Sequence, residues 1–184
     1  MRLVVAITGA SGAVYGVRLL QVLRDKDVET HLIVTGSAET VIRQETETSV
    51  DEVKRLARYC YNENDFNAPI ASGSYKSSGM VIIPCSMKTM GGLASGFAHN
   101  LVIRAADVTL KERRTLVLVP RETPLNAIHL ENMLKLANIG AIILPPMPAF
   151  YGLPKSIDDI VNHTVGRVLD FLGVDHALYR RWGE

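Results

Sequence analysis

The sequence has little of several features that mark large classes of proteins. Its 184 residues include only two cysteines, Cys60 and Cys85, far apart and outside any Cys-x-x-Cys motif, which argues against a disulfide framework and favours reduced thiols in a cytoplasmic protein. Lys and Arg number 20 and Asp and Glu 19, so no overall field would attract nucleic acid or an anionic membrane. Any anion site must therefore be local.

Signals for metal binding and for membrane insertion are also scarce. The five histidines show no His-x-x-x-His spacing and no pairing with carboxylates, so we predict no metal site. The apolar run before Gly9 is too short for a signal peptide or a membrane span. The length suits a single domain over residues 1–184, with a core of ordinary size.

Five short, continuously apolar runs alternate with segments whose apolar residues recur every three or four positions. The runs predict strands buried on both faces, and the segments between them predict helices. Because crossover connections are right-handed, we expect a three-layer, doubly wound, mainly parallel α/β domain of Rossmann or flavodoxin-like type. The predicted strands are Leu3–Ile7, His31–Val34, Met80–Ile83, Leu116–Val119 and Ala141–Leu144.

The loop Gly9-Ala10-Ser11-Gly12 follows the first predicted strand and opens a helix. Small residues there let the backbone approach a phosphate, and the helix N-terminus favours negative charge. An ordinary tight turn between a strand and a helix has the same sequence features. The second strand ends in Thr35 rather than in the Asp or Glu that would hold an adenosine ribose, which favours FMN over NAD.

Three further segments carry charge or hydroxyls, two of them at predicted strand ends and one on a predicted helix. The segment Ser86-Met87-Lys88-Thr89 could bind the same phosphorylated ligand. A serine that only caps a helix has the same sequence pattern. Arg104 and Lys111 are seven residues apart and so share one helix face, which could meet an anion or solvent. Arg121-Glu122 ends a strand, where an acid beside an arginine could handle a proton next to a phosphate.

Aromatic residues stand out near the C-terminus. Tyr151 follows a proline-rich loop and precedes a helix that carries Arg167, so its ring could contact a ligand or simply pack. Trp182, the only tryptophan, lies two residues from the end, where a single chain would bury it poorly. We therefore predict that the tail, about residues 174–184, packs on a neighbouring subunit, a frayed tail being the alternative.

Taken together, these segments make the sequence resemble the UbiX-type flavin prenyltransferases, including the small subunits of hydroxyarylic acid decarboxylases. The resemblance spans almost the whole chain. It is carried by Thr8–Ala13, Ala71–Ser74, Pro84–Thr89, Arg104–Val108, Leu110–Arg114, Val119–Glu122, His129–Met133, Pro145–Tyr151 and Arg181-Trp182.

The resemblance implies reduced FMN as the flavin substrate, dimethylallyl phosphate as the prenyl donor and prenylated FMN as the product. FMN would be held by Gly9, Ala10, Ser11, Thr35, Ser86, Met87, Lys88, Thr89 and Arg104. The prenyl donor would be bound by Lys111, Arg121, Tyr151, Arg167, Ser74 and Trp182. Catalysis would fall to Ser11, Glu45 and Glu122.

The resemblance also implies a homododecamer with sites at subunit contacts, and a UbiD-type decarboxylase that receives the product. That decarboxylase could serve ubiquinone synthesis or the breakdown of aromatic acids. Two other functions fit some of the residues. An FMN-dependent decarboxylase of peptidyl cysteine would need a histidine base, for which His99 or His129 could serve. A non-catalytic FMN carrier would leave the cations around Lys111 and Arg121 without a use.

Overall fold

Within residues 1–183, which the computed structural model describes, six parallel strands form one sheet. Glu184, the last residue of the predicted tail, lies outside the described part. The strands are β1 (Arg2–Ile7), β2 (Glu29–Val34), β3 (Tyr59–Tyr61), β4 (Gly79–Cys85), β5 (Thr115–Pro120) and β6 (Ile142–Ile143). The helices are α1 (Ala13–Asp25), α2 (Gly36–Glu45), α3 (Val50–Arg55), α4 (Met87–Ser95), α5 (Leu101–Lys111), α6 (Ala127–Asn138) and α7 (Ile157–Leu172).

The strand order, β3-β2-β1-β4-β5-β6, reverses its direction of progress between β1 and β4. The predicted doubly wound parallel sheet is thereby confirmed. β1 and β4 pair from Leu3 opposite Gly79 to Ala6 opposite Ile82, so the loops that follow these two strands start side by side. Ligands of such sheets bind in the crevice between diverging loops at this switch point. The loops after β1 and β4 therefore line the crevice in which a ligand of this fold would bind.

The sheet is buried on both faces, as the apolar runs predict. Along β1, Leu3, Val5 and Ile7 belong to the core cluster on one face, whereas Val4 and Ala6 belong to the cluster on the other. The first cluster includes apolar residues of α1, α2, α3 and α7, and the second includes residues of α4, α5 and α6. Helices α5 and α7 therefore lie on opposite faces of the sheet.

Two strands differ from the sequence prediction. β3 was not predicted, because Tyr59–Tyr61 has no β-branched residue and half of Tyr59 is exposed at the sheet edge. The fifth predicted strand, Ala141–Leu144, shrinks to the two residues of β6, which pair with β5 at the opposite edge. Edge strands need only one partner, so they can be short and irregular.

The C-terminal tail turns back along α7 of its own chain. The tail is anchored by Asp170, which accepts hydrogen bonds from Tyr179 Oη at 2.6 Å and from the Arg181 guanidinium at 2.8 Å. A further tail residue, His176, places its Nε2 3.0 Å from the same carboxylate. Although burial by itself would raise the pKa of Asp170, these hydrogen bonds lower it to about 2. Trp182 is still 81% exposed, so packing of the tail on a neighbouring subunit stays a prediction.

None of the helices within residues 1–183 has both the length and the apolar character needed to span a lipid bilayer.

Candidate functional site

Thr8 joins the two loops at the switch point. Its buried hydroxyl donates to the carbonyl oxygen of Pro84 at 2.7 Å and accepts from the backbone N–H of Ser86 at 2.8 Å. One side chain thus fixes the end of β1 against the end of β4. The two loops of the crevice are therefore hydrogen-bonded to each other at its floor.

The N-terminus of α1 is occupied by a carboxylate from the end of α2. Glu45 Oε2 accepts from the backbone N–H of Gly12 at 2.7 Å and of Ala13 at 3.2 Å, and Gly12 has the left-handed φ of 100° that this turn requires. Desolvation alone would raise the pKa of Glu45, but hydrogen bonds from Ser11, Gly12 and Ala13 lower it. The phosphate cradle predicted at Gly9–Gly12 stays a prediction, and one of its amides, that of Gly12, already serves Glu45.

Arg121 brings the end of β5 to the same loop. Its Nε donates to the carbonyl oxygen of Ser11 at 3.3 Å, and its charge helps to keep the Glu45 carboxyl ionised. Ser11, Glu45 and Arg121 therefore form one cluster, which we call the crevice cluster. Glu122 follows directly and is exposed, with Oε1 accepting from the backbone N–H of Thr123 at 3.0 Å. An acid, a hydroxyl and a cation therefore meet at the carboxyl edge of the sheet, where the sequence predicts a ligand site.

The loop after β2 packs directly on the loop after β1. Thr35 is buried and caps α2, since its hydroxyl accepts from the N–H of Ala38 at 3.2 Å. A Cβ on residue 9 would stand only 2.5 Å from Ser37 Cβ. Gly9 is thus required by the close approach of α2.

A Gly9→Ala variant is expected to weaken FMN binding by more than about tenfold, because the new methyl group pushes apart two loops of the crevice. Titration of flavin fluorescence measures the effect. Gly36→Ala is the matched control, since a Cβ there meets Glu63 Oε1 at an ordinary 3.6 Å. Adding Ser37→Gly to Gly9→Ala should restore affinity, and a double variant that binds as poorly as the single one contradicts the steric explanation.

Ser86 caps α4 in the ordinary way. Its Oγ accepts from the N–H of Thr89 at 3.3 Å and lies 3.1 Å from Thr89 Oγ1. The geometry thus shows the capping role that the sequence allowed, while the backbone N–H of Ser86 bonds to the Thr8 hydroxyl. Met87 is partly buried and Lys88 is exposed on the first turn of α4. Their contacts with FMN stay predictions.

Two predicted cations lie on α5, whose helical span Leu101–Lys111 confirms that they share a face. Arg104 donates to the carbonyl oxygen of Ala71 at 3.0 Å and to Asp107 at 3.0 Å. Lys111 is paired with Glu112, beside the Ser72–Ser74 turn, where the Ser72 and Ser74 hydroxyls are 2.9 Å apart. Ser74, Arg104 and Lys111 form what we call the α5 cluster.

The remaining predicted residues lie on α7 or in the segments on either side of it, and we call Tyr151, Arg167 and Trp182 the α7 cluster. The Tyr151 and Trp182 rings meet edge to face at 5.3 Å between centroids. The Arg167 guanidinium donates to Asp170 at 3.1 Å and to Tyr179 at 3.5 Å. The hydrogen bond with Tyr179 is the largest cause that raises the pKa of Arg167, so this cation is permanent.

The α5 and α7 clusters cannot share a ligand within one chain. The two helices pack on opposite faces of the sheet, so their axes lie roughly 20 Å apart, and the sheet stands between Lys111 and Arg167. The expectation that both residues bind one phosphate therefore requires a second copy of the chain. This requirement agrees with the sites at subunit contacts that the resemblance implies.

Sequence reasoning missed several residues that shape these clusters. Thr8 and Asp170 lack a local signal, since only the pairing of distant segments gives them partners. Glu63 accepts from the N–H of Gly36 at 2.7 Å and from the Asn100 amide at 3.3 Å, and so ties α2 to α5. Among residues 1–183, no three His, Cys, Asp or Glu side chains gather where they could hold a metal ion.

Comparison with known proteins places this geometry in a family. The Flavoprotein family model matches residues 1–169. The flavin prenyltransferase UbiX of Methanocaldococcus jannaschii is 52% identical over 183 residues, which cover 100% of this chain and 99% of the relative.

Two solved structures share the whole fold. A dodecameric, FMN-dependent UbiX-like decarboxylase from Escherichia coli O157:H7 superposes with a TM-score of 0.98 at 54% identity, over 100% of both chains. AnUbiX (PadA1) in complex with FMN and dimethylallyl pyrophosphate gives a TM-score of 0.98 at 50% identity, over 100% of this chain and 97% of the other. Identity of this extent, over the full length of the chain and on a common fold, shows that the chain belongs to the flavoprotein family and, within it, to the UbiX flavin prenyltransferases.

Proposed function

We propose that this chain transfers the dimethylallyl group of dimethylallyl phosphate to N5 and C6 of reduced FMN, making prenylated FMN for a UbiD-type aromatic acid decarboxylase. The observation that carries the proposal is that these clusters hold more cationic side chains than one FMN phosphate needs. FMN has one phosphate, whereas the crevice, α5 and α7 clusters supply Arg121, Arg104, Lys111 and Arg167. The surplus suits a second phosphorylated ligand, and the relative AnUbiX binds FMN together with an isoprenoid phosphate ester.

The residues around the switch point fit FMN. The Thr35, Ser86 and Thr89 hydroxyls lie beyond the carboxyl ends of β2 and β4, the two strands that flank β1, which is where flavin and nucleotide phosphates bind in doubly wound sheets. Gly9 and Gly12 keep the neighbouring loop narrow, since neither carries a side chain. The flavin would supply the nucleophilic N5.

The prenyl donor needs a different environment, because its allylic carbon loses phosphate. Cations fixed before the reaction stabilise the charge that develops on the departing phosphate. Lys111, Arg121 and Arg167 would take this role, with Tyr151 donating a further hydrogen bond and Ser74 and Trp182 beside the site. The allylic C–O bond would break as the N5–C bond forms, so that the phosphate leaves with the electron pair and takes up the proton that N5 loses.

Closure of the new ring at C6 needs a proton for the alkene and an acceptor for the C6 proton. Glu122 lies next to Arg121 and is exposed at the strand end, so it would donate the first proton. The departing phosphate would accept the second. Glu45, held ionised by Ser11 and the amides of α1, would orient the Ser11 hydroxyl at the flavin. No step calls for a metal ion, since arginine and lysine supply the positive charge.

We also propose a homododecamer in the cytoplasm. The dodecameric relative from Escherichia coli and the placement of the α5 and α7 clusters on opposite faces support the assembly. Exposed apolar side chains at Met147, Phe150, Leu153, Ile157 and Trp182 offer a surface for it, each being at least 66% exposed. The small number of cysteines supports the location.

Anaerobic incubation with reduced FMN and dimethylallyl phosphate tests the reaction. We expect the mass of the extracted flavin to rise by one dimethylallyl unit, and dimethylallyl pyrophosphate, tried in parallel, shows which donor is used. Oxidised FMN is the control, since its N5 is not nucleophilic. A flavin of unchanged mass with both donors would contradict the proposal.

The rival functions find less support in the geometry. A cysteine decarboxylase would use His99 or His129 as a base near the flavin, but His129 Nδ1 takes part in the cap of α6. Nδ1 of His99 is buried without a hydrogen-bond partner, next to Gly92 on α4. A carrier of FMN has no need of Lys111 and Arg167.

A further inference from the structure

Tyr151 has a hydrogen-bond partner that neither the sequence motifs nor the family comparison assigns. Its hydroxyl lies 3.0 Å from Nε2 of His163, one of the residues of α7. Both side chains line a cavity of about 240 Å³, together with Leu153, Lys155 and Tyr179. A small ligand in this cavity could therefore contact the Tyr151 hydroxyl while that hydroxyl stays hydrogen-bonded to His163.

The imidazole of His163 is itself held from the other side. Its ring packs on the Tyr179 ring at 4.7 Å between centroids, and the Tyr179 hydroxyl donates to Asp170 at 2.6 Å. Asp170 also anchors the tail through His176 and Arg181. His163 is thus wedged between the tail and Tyr151, so that its orientation is set by the fold rather than by the ligand.

Burial and the nearby Arg167 lower the pKa of His163, so the ring is neutral at neutral pH and carries one N–H. A neutral ring can accept from or donate to a tyrosine hydroxyl. A phosphate in its charged form offers only acceptors, so Tyr151 must use its own proton for the phosphate. The direction is then fixed: His163 Nε2–H donates to Tyr151 Oη, and Tyr151 Oη–H donates to the phosphate.

We propose that His163 is a positioning residue that orients the Tyr151 hydroxyl toward the phosphate of the prenyl donor. The inference rests on the proposed function, because Tyr151 needs a phosphate ligand for its proton to matter. It deepens that function by naming the group that sets the direction of the hydrogen bond. His163 acts through Tyr151 and does not touch the flavin.

Three substitutions at one position test the role. His163→Phe keeps the ring and removes the donor, and is expected to raise KM for dimethylallyl phosphate and to lower kcat, together reducing kcat/KM about tenfold. His163→Gln places an amide N–H near the position of Nε2 and should recover most of the loss. His163→Asn places its amide near Nδ1 instead and should not. FMN affinity and melting temperature should stay close to wild type for His163→Gln.

A double-mutant cycle separates positioning from packing. In a Tyr151→Phe background the hydroxyl is gone, so His163→Phe should have no further effect on kcat/KM. An equal loss from His163→Phe with and without the Tyr151 hydroxyl would overturn the inference, as would wild-type kinetics for His163→Phe. Wild-type enzyme that prenylates FMN in the same assay keeps the proposed function standing in either case, whereas inactive wild-type enzyme would contradict the proposed function itself.

Discussion

Mixed oligomers of Lys111→Ala and Arg167→Ala subunits are expected to prenylate FMN, although each variant alone is inactive. Each substitution removes a fixed cation from the departing phosphate and should lower kcat/KM by about 10²–10³-fold. The sheet separates the two residues within a chain, so a complete site takes them from different subunits. With random assembly, about a quarter of the sites carry both wild-type residues and the mixture recovers about a quarter of wild-type activity.

Co-expression with two affinity tags and tandem purification yields the mixed oligomers. The control pair is Lys111→Ala with Arg104→Ala, since both residues lie on α5. A site that takes α5 from one subunit then lacks either Lys111 or Arg104, whichever variant supplies the helix. That pair should remain inactive. Mixed Lys111→Ala and Arg167→Ala oligomers with no more activity than the single variants would refute a shared site.

Replacement of Glu122 by Gln should leave FMN binding unchanged and reduce formation of the cyclised flavin by about 10²–10⁴-fold, the usual effect of losing a general acid. Glutamine keeps the size of the side chain and its acceptor for the Thr123 N–H, so the loop should fold as before. Glu122→Asp retains the acid on a shorter side chain and should keep part of the activity.

Mass alone does not settle this experiment, because the open N5 adduct and the cyclised product are isomers. The absorption spectrum and the NMR signal of the C6 proton distinguish them, since cyclisation removes that proton. We expect Glu122→Gln to accumulate the open adduct. Full conversion to the cyclised flavin would exclude Glu122 as the proton donor.

The sheet could be predicted from sequence because the residue types of a buried strand reflect its surroundings. β4 and the part of β1 after Arg2 are buried on both faces, so their positions are apolar, and such runs have few alternative structures. The loops at their carboxyl ends follow from the topology alone. β3 escaped prediction because an edge strand buries too little to demand β-branched residues.

The site was only partly predictable, because its contacts join distant segments. Ser11 and Arg121 have recognisable loops, but the carbonyl-to-guanidinium contact between them spans 110 positions. The occupation of the α1 N-terminus by Glu45 depends on how α2 ends. The face on which α7 packs has no crossover rule to fix it, since no strand follows α7 in the described chain. That face decides which cations can meet.

The buried position of Cys85 has a consequence for an enzyme that handles an electrophile. Its thiol closes β4 directly before the Ser86 loop, and complete burial raises its pKa to about 12. At neutral pH almost none of it is thiolate, the form that attacks carbon. An allylic electrophile bound near this strand end would thus meet flavin N5 as a stronger nucleophile than the Cys85 thiol, so the protein would avoid alkylating itself.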